Sequence, residues 1–85
     1  MAPGLTPMEV RAAVTAALRE IAPDVEADAL DDADRLRQDL DLDSLDFLRL
    51  IERIAETTGV DVPERDYPQA ATYGGLVAYI AARQR

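Results

Sequence analysis

The stretch Asp39-Leu40-Asp41-Leu42-Asp43-Ser44-Leu45-Asp46 concentrates the chemistry-bearing residues of this chain. Two kinds of chemistry can be written on it. Asp39, Asp41 and Asp43 follow the 1, 3, 5 spacing of an EF-hand loop, in which carboxylate oxygens meet a hard cation. The rest of that loop is missing. Its sixth position needs glycine and holds Ser44; its twelfth needs a bidentate glutamate and holds Leu50. No specific metal site is expected, only weak, nonspecific binding of divalent ions by clustered carboxylates. The second chemistry is nucleophilic attack by Ser44. A serine hydroxyl needs a neighbouring base, and the chain has no histidine and no lysine. No catalytic residue is therefore expected. What remains is a hydroxyl beside several carboxylates, and its meaning depends on where the chain puts it.

The local pattern puts it at a helix start. Asp43 is a good N-cap, Asp46 stands at the third helical position, and Leu42 and Phe47 can staple the turn. The helix should cover about 44–57 and stop at Gly59. At about 100° per residue its core face is Phe47, Leu50, Ile51, Ile54 and Ala55. Its polar arc is Asp46, Arg49, Glu52, Arg53 and Glu56. Leu45 falls in the middle of that arc. An exposed leucine is ordinary by itself. Directly after a helix-start serine and ringed by charge, it also suits a brief contact with a partner.

Three further segments frame this helix. Thr6 and Glu9 form a capping box with Pro7 at the first helical position, so a helix is expected over 7–21, ended by Pro23. Val10, Ala13, Val14, Ala17, Leu18 and Ile21 make its apolar stripe. Residues 64–69 allow one short helix, weakened by Pro68. Thr72 caps a last helix over 73–82, with Leu76, Val77 and Ile80 inward and Arg83 and Arg85 at its negative end. Pro68 and Gly74-Gly75 suggest loose ends around these last two helices. Residues 22–42 read as a long acidic loop anchored by Leu30, Leu36, Leu40 and Leu42. No segment reads as a paired strand. The expected fold is all-α: one domain over 1–85, a small four-helix bundle of three main helices and one short one.

Composition narrows the function. Among 85 residues, 17 acids face 9 bases, for a net charge of −8. Nucleic acid and anionic membrane repel such a chain, whereas a protein with a basic patch complements it. Without cysteine there is no disulfide, thiolate metal site or thiol nucleophile. The first residues lack the basic and apolar regions of a signal peptide, and no apolar run is long enough to span a membrane. A cytoplasmic monomer is expected.

Asp43-Ser44-Leu45, followed by Asp46-Phe47-Leu48, resembles the attachment motif of acyl carrier proteins. The resemblance extends to Leu36-Arg37-Gln38-Asp39-Leu40 before the motif, to Gly59-Val60-Asp61-Val62-Pro63 after the helix, and to Thr72 through Tyr79-Ile80 at the end. It covers nearly the whole chain in order and spacing. It implies that a phosphopantetheinyl transferase moves 4′-phosphopantetheine from coenzyme A to Ser44, and that the arm's thiol carries acyl groups as thioesters. The chain would then be a carrier and not an enzyme. The resemblance also implies that Asp43, Leu45, Asp46, Glu52 and Glu56 meet acyl-transferring or acyl-modifying enzymes. It places Leu48, Ile51, Ile54, Val14, Leu18, Val62 and Ile80 in a core that can shelter cargo.

Two features depart from the family pattern. Asp41 stands where glycine is common. Arg49 and Arg53 interrupt a usually acidic face, which should alter partner choice and favours a specialised fatty-acid or polyketide-type pathway. The Gly-Gly that often precedes the serine of peptidyl carriers is absent. The attached phosphate would gain from the helix dipole and lose to Asp41, Asp43 and Asp46; residue types alone do not rank the two. The competing reading is an unmodified acidic adaptor that binds a basic protein surface.

Overall fold

The computed structural model describes residues 4–84. Its first helix, α1 (Pro7–Ile21), starts as the cap pattern requires. The Thr6 side chain accepts from the Glu9 amide, and the Glu9 carboxylate accepts from the Thr6 amide. Val10, Val14, Ala17 and Leu18 are buried along one face. Helix α2 (Ser44–Thr58) is capped by Asp43, whose carboxylate accepts from the Asp46 amide at 2.8 Å. It ends at Gly59 with φ 76°, a left-handed conformation in which a side chain would be strained. Helix α3 (Tyr73–Ala82) is capped by Thr72, which accepts from the Gly75 amide. Arg83 donates to the Tyr79 carbonyl at its C-terminal end, and Arg85 lies outside the described residues.

Two 3₁₀ segments complete the chain, Ala27–Ala29 and Glu64–Ala70. The second is the short helix expected over 64–69, with Pro68 inside it. Among the described residues there is no strand, only an isolated antiparallel bridge between Arg35 and Thr72. The expected four-helix, all-α arrangement holds, with α1 packed on both α2 and α3.

The core joins α1, α2 and α3 through Leu18, Leu50, Ile54, Leu76 and Ile80, all fully buried. Two tyrosines that the apolar periodicity did not single out also lie inside. Tyr73 hydrogen-bonds Thr15 at 3.2 Å, and Thr15 in turn donates to the Arg11 carbonyl, so this buried polar pair is satisfied. Tyr79 donates to the Asp66 carboxylate at 2.5 Å and ties α3 to the Glu64–Ala70 segment.

The structure corrects two expectations. Leu48 is 44% exposed and not in the core. It lies one helical turn beyond Leu45 and shares that residue's outward face. Nor do Gly74 and Gly75 mark a loose end. A Cβ on Gly74 would come within 2.5 Å of the Asp32 side chain, and one on Gly75 within 2.6 Å of the Gln69 carbonyl oxygen. These glycines admit neighbouring chain that a larger residue would push away.

For Gly75 that neighbour is the Glu64–Ala70 segment, and for Gly74 it is the segment before α2. The Leu36 amide donates to Ala71, Tyr73 donates to Asp34, and Gly74 donates to Asp32, at 2.8–2.9 Å. Leu36 and Leu42 are buried, while Leu30 and Leu40 pack half-buried against the core. The long acidic connection is thereby stitched to the start of α3, which fixes where its last residues deliver Ser44.

Candidate functional site

Asp41 makes the final bend before α2. Its φ is 58°, the left-handed region, where aspartate is better tolerated than most residues. Leu42 then turns inward and is buried, Asp43 caps, and Ser44 becomes the first helical residue with its side chain exposed. Alternation around a capped helix start therefore holds the hydroxyl outward. The Asp43 carboxylate is occupied by the Asp46 amide, and the Phe47 amide bonds the Asp43 carbonyl. The helix end is thus already partly satisfied by its own cap.

Arg37 reaches Ser44 from the connecting segment. Its Nη2 donates to Ser44 Oγ at 2.8 Å. Because the guanidinium can only donate, the hydroxyl's own proton stays free. The sequence pattern did not single Arg37 out as a site residue. Its signal was being one of two bases, with Arg35, among the ten acids from Asp24 to Asp46. Arg35 is spent locally: it pairs with Asp39 at 3.2 Å and its amide donates to the same carboxylate, which holds Asp39 below the usual carboxylate pKa. Arg37 forms no ion pair among the described residues.

Ser44 stands on the lip of an open cleft of about 690 Å³ between the connecting segment, α2 and the Glu64–Ala70 segment. Leu42, Phe47, Tyr67 and Pro68 supply its apolar wall, and Arg37 and Glu64 part of its polar rim. Phe47 and Tyr67 meet edge to face with centroids 5.0 Å apart. An exposed hydroxyl, a cation in contact with it and an adjoining groove suit a long, flexible group esterified through phosphate.

The remaining residues of the expected surface separate into two sets. Leu45, Arg49, Glu52 and Glu56 are exposed along α2, and Asp46 is half-buried. Leu45 at 55% exposure and Leu48 at 44% form an apolar pair there. Arg53 is engaged within the fold, as a two-pronged pair with Glu20 on α1 (2.7 and 3.2 Å) and a further contact with Glu56 at 3.0 Å. Arg49 has no ion pair among the described residues. The two arginines are alike in sequence, but only Arg49 presents an uncommitted charge. No group of metal-binding side chains assembles among the described residues, so the aspartates around Ser44 do not converge on a common point.

Comparisons with known proteins show what the chain is similar to. A family model described as a phosphopantetheine attachment site matches residues 12–80. The acyl carrier protein of Chlamydia caviae is 33% identical over 60 residues, which cover 71% of this chain and 78% of that protein. The acyl carrier protein of Lactobacillus johnsonii is 38% identical over 48 residues, covering 56% of this chain and 60% of that protein. A solved structure of the acyl carrier protein from Enterococcus faecalis superposes with a TM-score of 0.73 at 25% identity, covering 92% of this chain and 98% of the other.

Proposed function

Since this chain belongs to the acyl carrier protein family, whose members carry a covalent 4′-phosphopantetheine and are carriers and not catalysts, we propose that Ser44 is its attachment residue. The observation that carries this reading is the exposed Ser44 Oγ at the start of α2, free to lose its proton and in contact with Arg37. On transfer, a bond forms between Oγ and the phosphorus of the pantetheine phosphate as the pyrophosphate P–O bond of coenzyme A breaks. Adenosine 3′,5′-bisphosphate leaves. The hydroxyl proton passes to a base of the transferase, since this chain has no histidine or lysine to take it. The bound arm supplies the thiol that a cysteine-free chain lacks. The chain's own residues anchor that arm, and its α2 surface presents the cargo to enzymes.

Acyl-handling enzymes and a transferase are the partners that the family implies. In our reading they dock on Leu45 and Leu48, guided by Asp46, Glu52 and Glu56, while the exposed Arg49 selects among them. The cargo is an intermediate of a specialised fatty-acid or polyketide-type pathway, handled in the cytoplasm by a monomeric carrier. Among the described residues no helix is long and apolar enough to cross a membrane.

Incubation with coenzyme A and a promiscuous phosphopantetheinyl transferase tests the anchor. The expected product is the chain plus one arm mass, with the modification mapped to Ser44. Ser44→Ala should give the same circular dichroism spectrum and gain no mass. Unchanged mass under conditions that load a control carrier, or loading at another residue, overturns the assignment. An adaptor that works unmodified would keep its partner binding after Ser44→Ala.

A further inference from the structure

The contact between Arg37 and Ser44 leads beyond the attachment residue. Arg37 is exposed and seven residues upstream, and its described side-chain hydrogen bond is with Ser44 Oγ. A guanidinium is an unusually strong donor to spend on a neutral hydroxyl, when acids are abundant nearby. Its neighbour Arg35 shows the alternative, with its fork turned onto Asp39. The hydroxyl is the atom to which a phosphorus would be joined. The two free oxygens of a phosphodiester there would lie two bonds, through the phosphorus, from the atom that Arg37 already touches.

We infer that Arg37 is a binding residue for the phosphodiester at Ser44, an arginine clamp that holds the base of the arm against the rim of the cleft. The inference rests on the Ser44 reading. It settles the balance that residue types left open. Asp41, Asp43 and Asp46 place negative charge around the ester, and the helix end is partly taken by Asp43, whose side chain holds the Asp46 amide. Arg37 is the group in contact with Ser44 that can turn that surrounding from repulsive to favourable. Its planar fork matches two phosphate oxygens, which a single ammonium charge cannot do. The clamp also gives the arm a preferred starting direction. Arg37 and Ser44 line the same cleft, so a phosphate held by Arg37 would keep the base of the arm beside the wall that Phe47 and Tyr67 form. Release of Arg37 would let the arm swing out to a partner.

The test compares the full chain with Arg37→Ala and Arg37→Lys, each unmodified and each loaded with 4′-phosphopantetheine by a promiscuous transferase. Mass spectrometry confirms complete loading, and thermal melts and ³¹P NMR at low salt are the readouts. The unmodified proteins should melt together within about 1 °C, because Arg37 is exposed and loses only one surface hydrogen bond. On loading, Arg37→Ala should fall about 2–5 °C below the loaded wild type. Its phosphodiester resonance should shift, and Arg37→Lys should recover only part of either effect. At about 0.5 M NaCl the difference should shrink. If all three proteins load fully, yet show the same change in melting temperature and the same phosphorus resonance, the clamp is wrong while the Ser44 reading stands. A chain that accepts no arm mass overturns both.

Discussion

At the residue scale, small groups near α2 have sharply divided duties. Asp43 caps, Asp41 accepts a left-handed backbone, and Ser44 is left exposed with Arg37 on its oxygen. Asp39 secures the preceding turn by accepting from the Arg35 side chain and amide. Those bonds hold its pKa below the ordinary aspartate value, so the carboxylate form is favoured by folding. A depressed folded pKa means that the stabilisation is present above the unfolded value and is lost as pH falls through the folded one. The melting temperature of wild type should therefore exceed that of Asp39→Asn at pH 7, and the gap should close in strongly acidic solution below the ordinary carboxylate range. A gap independent of pH would show that the carboxylate charge is not what holds this turn. Most of these residue-scale features were legible in the sequence. The Thr6–Glu9 box, the Asp43 cap and the oddity of Asp41 are local, and local geometry follows from neighbours along the chain. Arg37 was not, because six residues of irregular backbone separate it from Ser44.

At the element scale, helix bounds and inward faces followed from caps and periodicity, and α1, α2 and α3 lie where the sequence places them. The exceptions concern what lies opposite each element. Leu48 is exposed because no described residue covers that arc of α2, and its apolar type does not say so. Arg53 is committed to Glu20, a residue 33 positions away that no spacing rule could pair with it. The Gly74-Gly75 pair gives the clearest case. Glycine inside a helix usually costs about 1 kcal/mol relative to alanine, so Gly→Ala should stabilise an exposed helix. Here the added Cβ of Gly75 would press on the Gln69 carbonyl oxygen at 2.6 Å, and backbone cannot step aside cheaply. Gly75→Ala should thus reverse the usual sign and destabilise by about 1–3 kcal/mol in denaturant melts. A variant as stable as wild type, or more so, would show that the α3 start has slack.

At the scale of the whole molecule, charge is the dominant feature. The net −8 is carried by 85 residues, and the five ion pairs among the described residues are all between solvent-exposed side chains. Exposed pairs contribute about 0–1 kcal/mol each and are themselves screened. General self-repulsion, spread over the acidic connection and α2, should outweigh them. Moderate salt, or Mg²⁺ at millimolar concentration, should accordingly raise the melting temperature. A melting temperature that falls with salt would mean that the pairs, Arg53 with Glu20 and Glu56 foremost, hold more of the fold than repulsion removes.

The sequence by itself determined the helical class, the caps, the inward faces and a serine at the mouth of α2. Each of these depends on residues within a few positions of one another, where backbone geometry and side-chain reach leave few choices. The tertiary structure alone decided which charges were spent and which stayed available: Arg53 bound across to α1, Arg49 open, and Arg37 laid on Ser44. It also decided that two glycines are spacers and that Leu48 joins Leu45 on the surface. These outcomes depend on the distance between elements far apart in the chain, which only the packed core establishes.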